Sequence, residues 1–291
     1  MGKLLVTGSS GFLGWHLCRE AQANWQVFGT YFSQSVTIPN ATLLKRDLRD
    51  YQQLQQLFTE IQPDAVIHTA AASKPNFCQL HPQESAQINV TASVNMARLC
   101  AEYRIPLVFT STDLVFDGEN PPYVESDRIS PICLYGEQKA TAETQMLAIY
   151  PQTAICRMPL MFGKAAPVAQ SFLQGFITNL QADKQLNLFV DEYRTPASAT
   201  TASRGLLLAI AKQVSGILHL GGKERISRYE FGLLLADLLG CDRALIKPGK
   251  QKDIVMAAPR SPDTSLDSSR AFALGYAPLL IEEELKLVLN C

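Results

Sequence analysis

The chain contains 291 residues with a formal net charge of −1, and 47% of the residues are hydrophobic. This length is ample for a large core, and the balanced charge excludes the basic footprint of a nucleic-acid-binding protein. No apolar run reaches the roughly 18 residues that a membrane-spanning helix requires, and the start shows no signal-peptide pattern. The composition therefore predicts a cytoplasmic globular protein with neither nucleic acid nor membrane as a partner.

Cysteines and histidines are scattered along the chain. The seven cysteines are Cys18, Cys78, Cys100, Cys133, Cys156, Cys241 and Cys291. None lies in a C-x-x-C pair and several lie in apolar runs, which favours reduced, buried thiols. The four histidines show no metal-ligand spacing, so we expect no metal site.

The N-terminal segment combines a strand, a glycine-rich turn and a helix. Residues 3–7 (KLLVT) form a short apolar run typical of a strand that is buried on both faces. Gly8, Gly11 and Gly14 follow with G-x-x-G-x-x-G spacing, and residues 15–21 have a helical pattern. Such a turn lets free N–H groups and the helix dipole meet a phosphate. The segment predicts a dinucleotide-binding turn, with a plain tight turn as the alternative.

Strand and helix patterns alternate about five times through the first half of the chain. The predicted strands are residues 3–7, 25–31, 42–46, 65–69 and 106–110. The predicted helices include residues 51–61, capped by Asp50, and residues 82–103. This order predicts an α/β fold with a doubly wound, Rossmann-like parallel sheet.

Shorter elements follow residue 162, so we predict two domains. Residues 1–162 are expected to form an NAD(P)-binding Rossmann domain, and residues 163–291 a smaller α/β substrate-binding lobe whose late strands return to the sheet. The predicted late elements are helices at 172–180, from a Thr200 or Thr201 cap to 212, and from a Ser227 cap to 239, strands at 186–190 and 216–220, and a polar turn at 191–196.

The end of the second predicted strand bears on the choice of cofactor. In a nucleotide-binding fold this end meets the adenine ribose, where an acidic residue binds the 2′-hydroxyl of NAD. Residues 30–33 (TYFS) contain no carboxylate that would repel a 2′-phosphate. NADP is therefore favoured. NAD remains the alternative, because the nearest cations, Lys45 and Arg46, lie on the next strand.

Three residues offer the chemistry of hydride transfer to a carbonyl, which needs a proton donor at the developing alkoxide. Tyr135 and Lys139 are four residues apart and share one helix face, where the ammonium would lower the pKa of the phenol. Thr112 ends the fifth strand with a hydroxyl that can hydrogen-bond the same oxygen. We expect the three to meet at the carboxyl edge of the sheet. The alternative for the Y-x-x-x-K spacing is a solvated helix face.

The chain resembles the extended short-chain dehydrogenase/reductase family over nearly its whole length. The motifs that carry the resemblance are Gly8/Gly11/Gly14, Asp47-Leu48, Ala70–Ala72, Asn89-Val90, Ser111-Thr112, Tyr135/Lys139 and Arg157-Met158-Pro159. Within this family the chain is most similar to the dTDP-4-dehydrorhamnose reductases and their sugar-nucleotide-binding relatives, through residues 111–118, 193–196, 216–222, 259–260 and 266–269.

This resemblance implies NADPH-dependent reduction of a 4-keto group on a nucleotide-linked deoxysugar, as in dTDP-rhamnose biosynthesis. It implies that Tyr135 is the general acid and that Thr112 supplies the hydroxyl, with Ser111 as the fallback. It also implies that Lys139 binds the nicotinamide ribose. It implies that Ser111 and Arg194 bind the substrate. Arg194 would bind a substrate diphosphate, with an exposed surface arginine as the alternative. The cofactor-binding residues that it implies are Gly8, Ser10, Gly11, Phe12, Leu13, Ser33, Asp47, Leu48, Thr69, Ala70, Ala71, Asn89, Tyr135 and Lys139.

Two positions depart from the family pattern. Leu114 stands where tyrosine is usual, which alters the expected substrate wall. His16 stands where some members carry a glutamate that ligates a metal at a dimer contact. A magnesium-bridged dimer is therefore not expected, whereas a homodimer of another kind stays open. Lys74, Asn76 and Phe77 are expected to shape substrate choice.

Two other functions within the same family remain as alternatives. A nucleotide-sugar epimerase or dehydratase ranks lower, because Asp113 is followed by Leu114 rather than by glutamate. A non-catalytic regulatory subunit, such as the β subunit of methionine adenosyltransferase, also resembles this family. The intact Thr112, Tyr135 and Lys139 set argues against that alternative.

Overall fold

A seven-stranded parallel sheet forms the centre of the computed structural model, which describes residues 1–290. The strands in chain order are β1 (Gly2–Thr7), β2 (Trp25–Tyr31), β3 (Ala41–Lys45), β4 (Ala65–His68), β5 (Leu107–Thr112), β6 (Ala154–Met158), β7 (Met161–Phe162), β8 (Leu186–Phe189), β9 (Tyr193–Arg194), β10 (Ala197–Ser198), β11 (Gly216–His219), β12 (Ile226–Ser227) and β13 (Ile246–Gly249). The sheet order is β11-β6-β5-β4-β1-β2-β3, with every neighbouring pair parallel. This order reverses at β1, which confirms the predicted doubly wound, Rossmann-like fold.

Helices cover both faces of the sheet and build the lobe. They are α1 (Phe12–Ala21), α2 (Tyr51–Ile61), α3 (Pro75–Leu80), α4 (Pro82–Ala86), α5 (Ala92–Tyr103), α6 (Leu134–Ile149), α7 (Phe172–Gln181), α8 (Ala199–Ala211), α9 (Arg228–Leu239), α10 (Ser269–Leu274) and α11 (Ile281–Leu289). One apolar core joins α1 and α8 to the sheet, and a second joins α2, α5 and α6 to its other face. A third core packs α7, α9 and α11 together in the lobe. Each fully buried leucine in these cores contributes roughly 1.5–3 kcal/mol.

Side-chain caps define where several helices begin. Asp50 accepts from Gln52 N at 2.9 Å and caps α2 as predicted. Ser227 and Glu230 form the predicted capping box of α9. Helix α8, however, begins two or three residues earlier than predicted, because Ser198 rather than Thr200 or Thr201 is its N-cap.

The long helix predicted over residues 82–103 contains an irregular turn. Residues Gln87–Thr91 between α4 and α5 form one π-helical turn. Asn89 lies in this turn, fully buried, where its side chain bonds both backbone groups of Ala72 and the side chain of Gln138. A π turn places a side chain where a regular helix would not, and it is often found at functional sites.

The lobe uses short strand pairs. The predicted turn at 191–196 contains β9, which pairs antiparallel with β12, and β8 pairs in parallel with β13. Of the predicted late strands, β11 joins the central sheet beside β6, whereas β8 does not. The pairing partner of β8 is 60 residues away in the sequence, beyond the range of a local pattern.

Six of the seven cysteines lie in the described part of the chain and are free thiols, five of them buried and Cys241 half-buried. Cys291 lies outside the described residues. Within residues 1–290, no helix combines the length and the apolar character that crossing a bilayer would require.

Candidate functional site

A cleft of about 1140 Å³ lies over the carboxyl ends of the central strands and reaches into the lobe. Every residue predicted for the site lines it except Asn89, which is fully buried and bonds the backbone of Ala72. Those lining residues are Gly8, Ser10, Gly11, Phe12, Leu13, Ser33, Asp47, Leu48, Thr69, Ala70, Ala71, Ser111, Thr112, Tyr135, Lys139 and Arg194. The cleft lies where ligands bind in open α/β sheets, outside the strand ends at the reversal of strand order.

The glycine turn is packed too closely to hold side chains. Gly8 has φ +70°, and a Cβ atom there would lie 2.7 Å from the Cα of Ala70. A Cβ on Gly14 would lie 2.2 Å from the carbonyl oxygen of Gly8. Gly11, the N-cap of α1, supplies no side-chain cap, so the first N–H groups of this helix are free for a ligand. This backbone cradle fits the pyrophosphate of a dinucleotide.

A buried hydroxyl supports the backbone beside the glycine turn. The Thr7 hydroxyl accepts from Thr69 N at 3.2 Å and from Ala70 N at 3.3 Å, and it lies 2.6 Å from Nδ1 of His68. The Thr69 hydroxyl in turn donates to the carbonyl oxygen of Thr7 at 2.6 Å. These contacts hold the carboxyl ends of β1 and β4 together under the cleft.

The protonation of His68 follows from its neighbours. Ser93 donates its one hydroxyl proton to the carbonyl oxygen of Asn89 at 2.8 Å, so it accepts from His68 Nε2 at 3.1 Å. His68 Nδ1 is then the acceptor of the Thr7 proton. Complete burial, with the nearby Lys139 charge, lowers the pKa of His68 to about 3, so this histidine is neutral. In the sequence, His68 is a single histidine near the end of the predicted strand 65–69, and no pattern there indicates this network.

Two arginines line the end of the cleft that holds Ser33. Arg49 pairs with Asp47 at 2.7 Å, and its guanidinium lies 5.0 Å from the centre of the Phe32 ring. Arg46 pairs with Glu60 at 2.6 Å, and its Nε atom is buried without a hydrogen-bond partner. The Asp47 carboxylate is therefore already engaged by a cation. Arg46 and Arg49 therefore lie beside the end of β2, where residues 30–33 contain no carboxylate.

The predicted catalytic residues come from β5 and the start of α6. Thr112 is the last residue of β5, and Tyr135 and Lys139 lie in the first two turns of α6. Gly136 explains how closely these elements approach, because a Cβ there would lie 2.1 Å from the carbonyl oxygen of Leu114. The start of α6 thus packs directly on the turn that follows Thr112. All three side chains are buried and line the same cleft.

Burial controls the protonation of the tyrosine and the lysine. Desolvation, followed by the charge of Asp113, raises the pKa of Tyr135 above its usual value, whereas Thr112 lowers it. Desolvation also lowers the pKa of Lys139 to about 7. Its Nζ atom lies 3.9 Å from the centre of the Phe109 ring. The expected lowering of the Tyr135 pKa by Lys139 is therefore not found in the protein alone, because desolvation disfavours both charged forms.

Arg194 is buried rather than exposed. It is 4% exposed, and its Nε atom lies 3.4 Å from Oδ2 of Asp113. It also donates to the backbone oxygens of Tyr193 at 2.5 Å and Ser261 at 3.1 Å. The alternative that Arg194 is an exposed surface residue is therefore wrong. Most of its N–H donors already bond groups within the protein.

Two further arginines, Arg228 and Arg260, line the same part of the cleft, and the sequence analysis assigned a binding role to neither. Arg228 lies 3.3 Å from Glu192 and stacks on Phe172, yet its Nη1 atom is buried without a partner. Burial, opposed by Glu192, lowers the pKa of Arg228 to about 10, so it stays protonated at neutral pH. Arg260 lies within 3.5 Å of Asn76. In the sequence, Arg228 begins a capped helix and Arg260 lies in the segment 259–260 that carries the family resemblance, but neither feature indicates a binding role.

His16 lies away from any cluster of metal ligands. It is 7% exposed, and its Nε2 atom lies 2.9 Å from the carbonyl oxygen of Lys164. Burial lowers its pKa. Among residues 1–290, no three His, Cys, Asp or Glu side chains are grouped to hold a metal ion.

Known proteins are similar to this chain in sequence over most of its length. The chain is 30% identical over 285 residues to the probable low-salt glycan biosynthesis reductase Agl14 of Haloferax volcanii, covering 96% of this chain and 95% of that protein. It is 28% identical over 280 residues to the methionine adenosyltransferase 2 subunit beta of Rattus norvegicus, covering 94% and 82%.

Solved structures show the same fold. A hypothetical dTDP-4-dehydrorhamnose reductase from Sulfolobus tokodaii superimposes with a TM-score of 0.83 at 31% identity, covering 93% of this chain and 94% of that one. A dTDP-4-dehydrorhamnose reductase from Bacillus anthracis, solved in complex with NADP, superimposes with a TM-score of 0.86 at 21% identity and covers 99% of both chains. At that identity the likeness shows the fold alone. Residues 2–290 match the RmlD substrate binding domain family, and the chain belongs to this family.

Proposed function

We propose that the protein reduces the 4-keto group of a nucleotide-linked deoxysugar with NADPH. The observation that carries this proposal is the convergence of Thr112, Tyr135 and Lys139 on one cleft that also contains the glycine cradle. Hydride reduction of a ketone requires a proton donor beside a bound nicotinamide. The names of the Agl14 reductase and of the Sulfolobus protein support a reductase.

Each residue of the site has a role in this reaction. When bound, the nicotinamide cofactor supplies the hydride. Tyr135 donates its proton to the C4 oxygen of the sugar, and its raised pKa keeps that proton in place at neutral pH. Lys139 binds the nicotinamide ribose, and its amine lies on the same helix face as the phenol. Thr112 holds the phenol in position.

We favour NADP over NAD as the cofactor. No carboxylate lies in residues 30–33 to bind a ribose 2′-hydroxyl, and Arg46 and Arg49 line the adjacent wall of the cleft. Guanidinium groups bind phosphate strongly.

The diphosphate of the substrate is assigned to Arg228, with Arg260 beside it. Arg228 has an unpartnered buried Nη1 atom on the cleft wall, whereas the donors of Arg194 face Asp113 and two backbone oxygens. Arg194 therefore holds the lobe together and contributes positive charge rather than a free hydrogen bond.

Loss of NADPH absorbance in the presence of dTDP-4-keto-6-deoxy-L-mannose tests the proposal. We expect turnover by the wild type and a fall of at least about 100-fold in kcat for Tyr135→Phe. NADPH affinity of that variant, measured by fluorescence titration, should stay within about threefold of wild type. Unchanged turnover in Tyr135→Phe would show that the phenol is not the general acid.

A non-catalytic regulatory subunit is the second candidate, favoured by the relatedness to methionine adenosyltransferase 2 subunit beta. It predicts NADP binding without turnover of any nucleotide sugar, together with a change in the kinetics of a methionine adenosyltransferase on mixing. Turnover that depends on Tyr135 would exclude this role as the sole function.

A further inference from the structure

Glu192 and Arg228 face each other across a short strand ladder in the lobe. Tyr193 pairs with Ser227 in the antiparallel ladder of β9 and β12. The N–H of Arg228 donates to the carbonyl oxygen of Glu192 at 3.2 Å, which extends this ladder by one pair. Side chains directly opposite each other in an antiparallel ladder are close enough to interact. The backbone therefore places this carboxylate and this guanidinium together.

The guanidinium of Arg228 is held on two sides. Its Nε atom lies 3.3 Å from Oε1 of Glu192, and its Cζ atom lies 4.1 Å from the centre of the Phe172 ring. The buried ring of Phe231 packs edge-on against Phe172, with 5.2 Å between the ring centres. These contacts leave Nη1 of Arg228 buried without a hydrogen-bond partner on the wall of the cleft. A buried donor without a partner is unfavourable, so an acceptor on a ligand would bind well there.

Glu192 is in turn held by Arg194. Its Oε1 atom lies 3.8 Å from Nη2 of Arg194, so one carboxylate oxygen faces two guanidinium groups. Arg194 is fixed in its turn, because Nε lies 3.4 Å from Oδ2 of Asp113 and Nη2 donates to the carbonyl oxygen of Ser261. Glu192 and Arg194 are both buried. Carboxylates and guanidinium groups thus alternate from Asp113 to Arg228.

We propose that Glu192 is a positioning residue, which holds the Arg228 guanidinium so that Nη1 faces the diphosphate of a nucleoside diphosphate sugar. This inference rests on the proposed function, which assigns the diphosphate to Arg228. Glu192 lines the cleft, but its carboxylate would repel phosphate and is therefore not a ligand itself. Without the contact to Glu192, the guanidinium could turn on the Phe172 ring. Ordering it again on binding would lower the affinity for the ligand.

Two substitutions separate the position of the carboxylate from its charge. Glu192→Gln removes the charge but keeps one oxygen, which Arg194 and Arg228 hold at the Oε1 position because both can only donate. Glu192→Asp keeps the charge but withdraws it by one methylene, away from Arg228. A positioning role requires the contact, so Glu192→Asp should weaken binding more than Glu192→Gln does. A role of the charge alone would give the reverse order.

The experiment measures the dissociation constant of thymidine diphosphate by titration calorimetry on the full chain, a readout that does not depend on turnover. It is applied to wild type, to both Glu192 variants, to Arg228→Met and to the double variant Glu192→Asp/Arg228→Met. The values of kcat and KM for dTDP-4-keto-6-deoxy-L-mannose are the second readout. Asp237→Asn is the matched control, because Asp237 is exposed in the same lobe and pairs with Arg243 at 3.6 Å.

We expect Glu192→Asp to raise the dissociation constant by about tenfold, and Glu192→Gln to keep it within about threefold of wild type. In the Arg228→Met background, Glu192→Asp should change it no further. In Glu192→Asp, KM should rise while kcat stays within about threefold, because the reacting groups are untouched. Asp237→Asn should match wild type in every readout.

A larger loss from Glu192→Gln than from Glu192→Asp would overturn the inference, as would tighter binding by either variant. Equal losses from Glu192→Asp with and without Arg228 would also overturn it, because they indicate a general effect on the lobe. If Arg228→Met binds thymidine diphosphate as wild type does, or if wild type does not bind it, the diphosphate assignment and the inference fail together. Absence of turnover by wild type, with the expected dissociation constants, would count against the reduction and support the role of Glu192.

Discussion

The Nζ atom of Lys139 lies 3.9 Å from the centre of the Phe109 ring, on the wall of the cleft. Lys139 is only 1% exposed, and desolvation lowers its pKa from 10.5 to about 7, although Glu143 opposes this change. The unfolded chain therefore binds this proton more tightly than the folded protein does. Burial of this amine therefore costs stability at neutral pH.

Replacing Lys139 with methionine should stabilise the protein at neutral pH. Between about pH 7 and 10.5 the unfolded chain holds a proton that the folded protein lacks, so wild-type stability rises with pH in this window. The slope contributed by one such group is at most about 1.4 kcal/mol per pH unit. Urea unfolding at pH 7 and pH 9 should show this rise in wild type and its loss in Lys139→Met. The exposed-lysine variant Lys184→Met should retain the rise, and a similar rise in Lys139→Met would contradict the assignment.

The loss of folding stability at acid pH should depend on His68. Its folded pKa of about 3 lies below the ordinary value of 6.5, so the folded protein resists a proton that the unfolded chain accepts. Stability is then lost as the pH falls through this window. The variant His68→Gln should be less stable at pH 7 by about 1–3 kcal/mol, because its hydrogen bonds are disrupted. Its stability should nevertheless fall less steeply from pH 6.5 to pH 4, as followed by urea unfolding. The exposed-histidine variant His81→Gln provides the baseline, and parallel curves for all three proteins would refute the prediction.

Two helical glycines offer a matched test of the dinucleotide cradle. A Cβ on Gly14 would lie 2.2 Å from the Gly8 carbonyl oxygen, whereas a Cβ on Gly175 meets no atom within 4 Å. Gly175→Ala should stabilise the protein by about 0.5–1 kcal/mol, since alanine is the better helix former. Gly14→Ala should instead weaken NADPH binding by at least about tenfold in a fluorescence titration, because the turn must open. Equal affinities for the two variants would mean that the turn does not hold the cofactor.

Arg228 and Arg194 should have different roles, the first in binding the substrate and the second in stabilising the fold. Arg228→Met should raise KM for the nucleotide sugar by about tenfold or more, since one charge-assisted contact to the diphosphate is lost, while NADPH affinity stays unchanged. Arg194→Met should chiefly lower stability, by about 3–5 kcal/mol, because the buried Asp113 loses its cation. Arg243→Met, which removes a side chain that is 61% exposed, is the control. An unchanged KM in Arg228→Met would mean that the diphosphate binds elsewhere in the cleft.

Local sequence patterns were sufficient for the sheet and for the main features of the cleft. Buried strands, glycine spacing and helix caps such as Asp50 act within a few residues, so they can be recognised along the chain. The four-residue spacing of Tyr135 and Lys139 placed them on one helix face before any contact was known. Alternation of strands and helices then brought these residues and Thr112 to one edge of the sheet.

Only the tertiary structure determined the features that depend on burial and on partners far along the chain. The pairing of Arg194 with Asp113, the free Nη1 atom of Arg228 and the network of His68 all join residues from different elements. The raised pKa of Tyr135 belongs to the same class, because desolvation depends on what surrounds the phenol rather than on the lysine one turn away. Hydrophobic periodicity records which face of an element is buried, but it does not record which polar groups meet there.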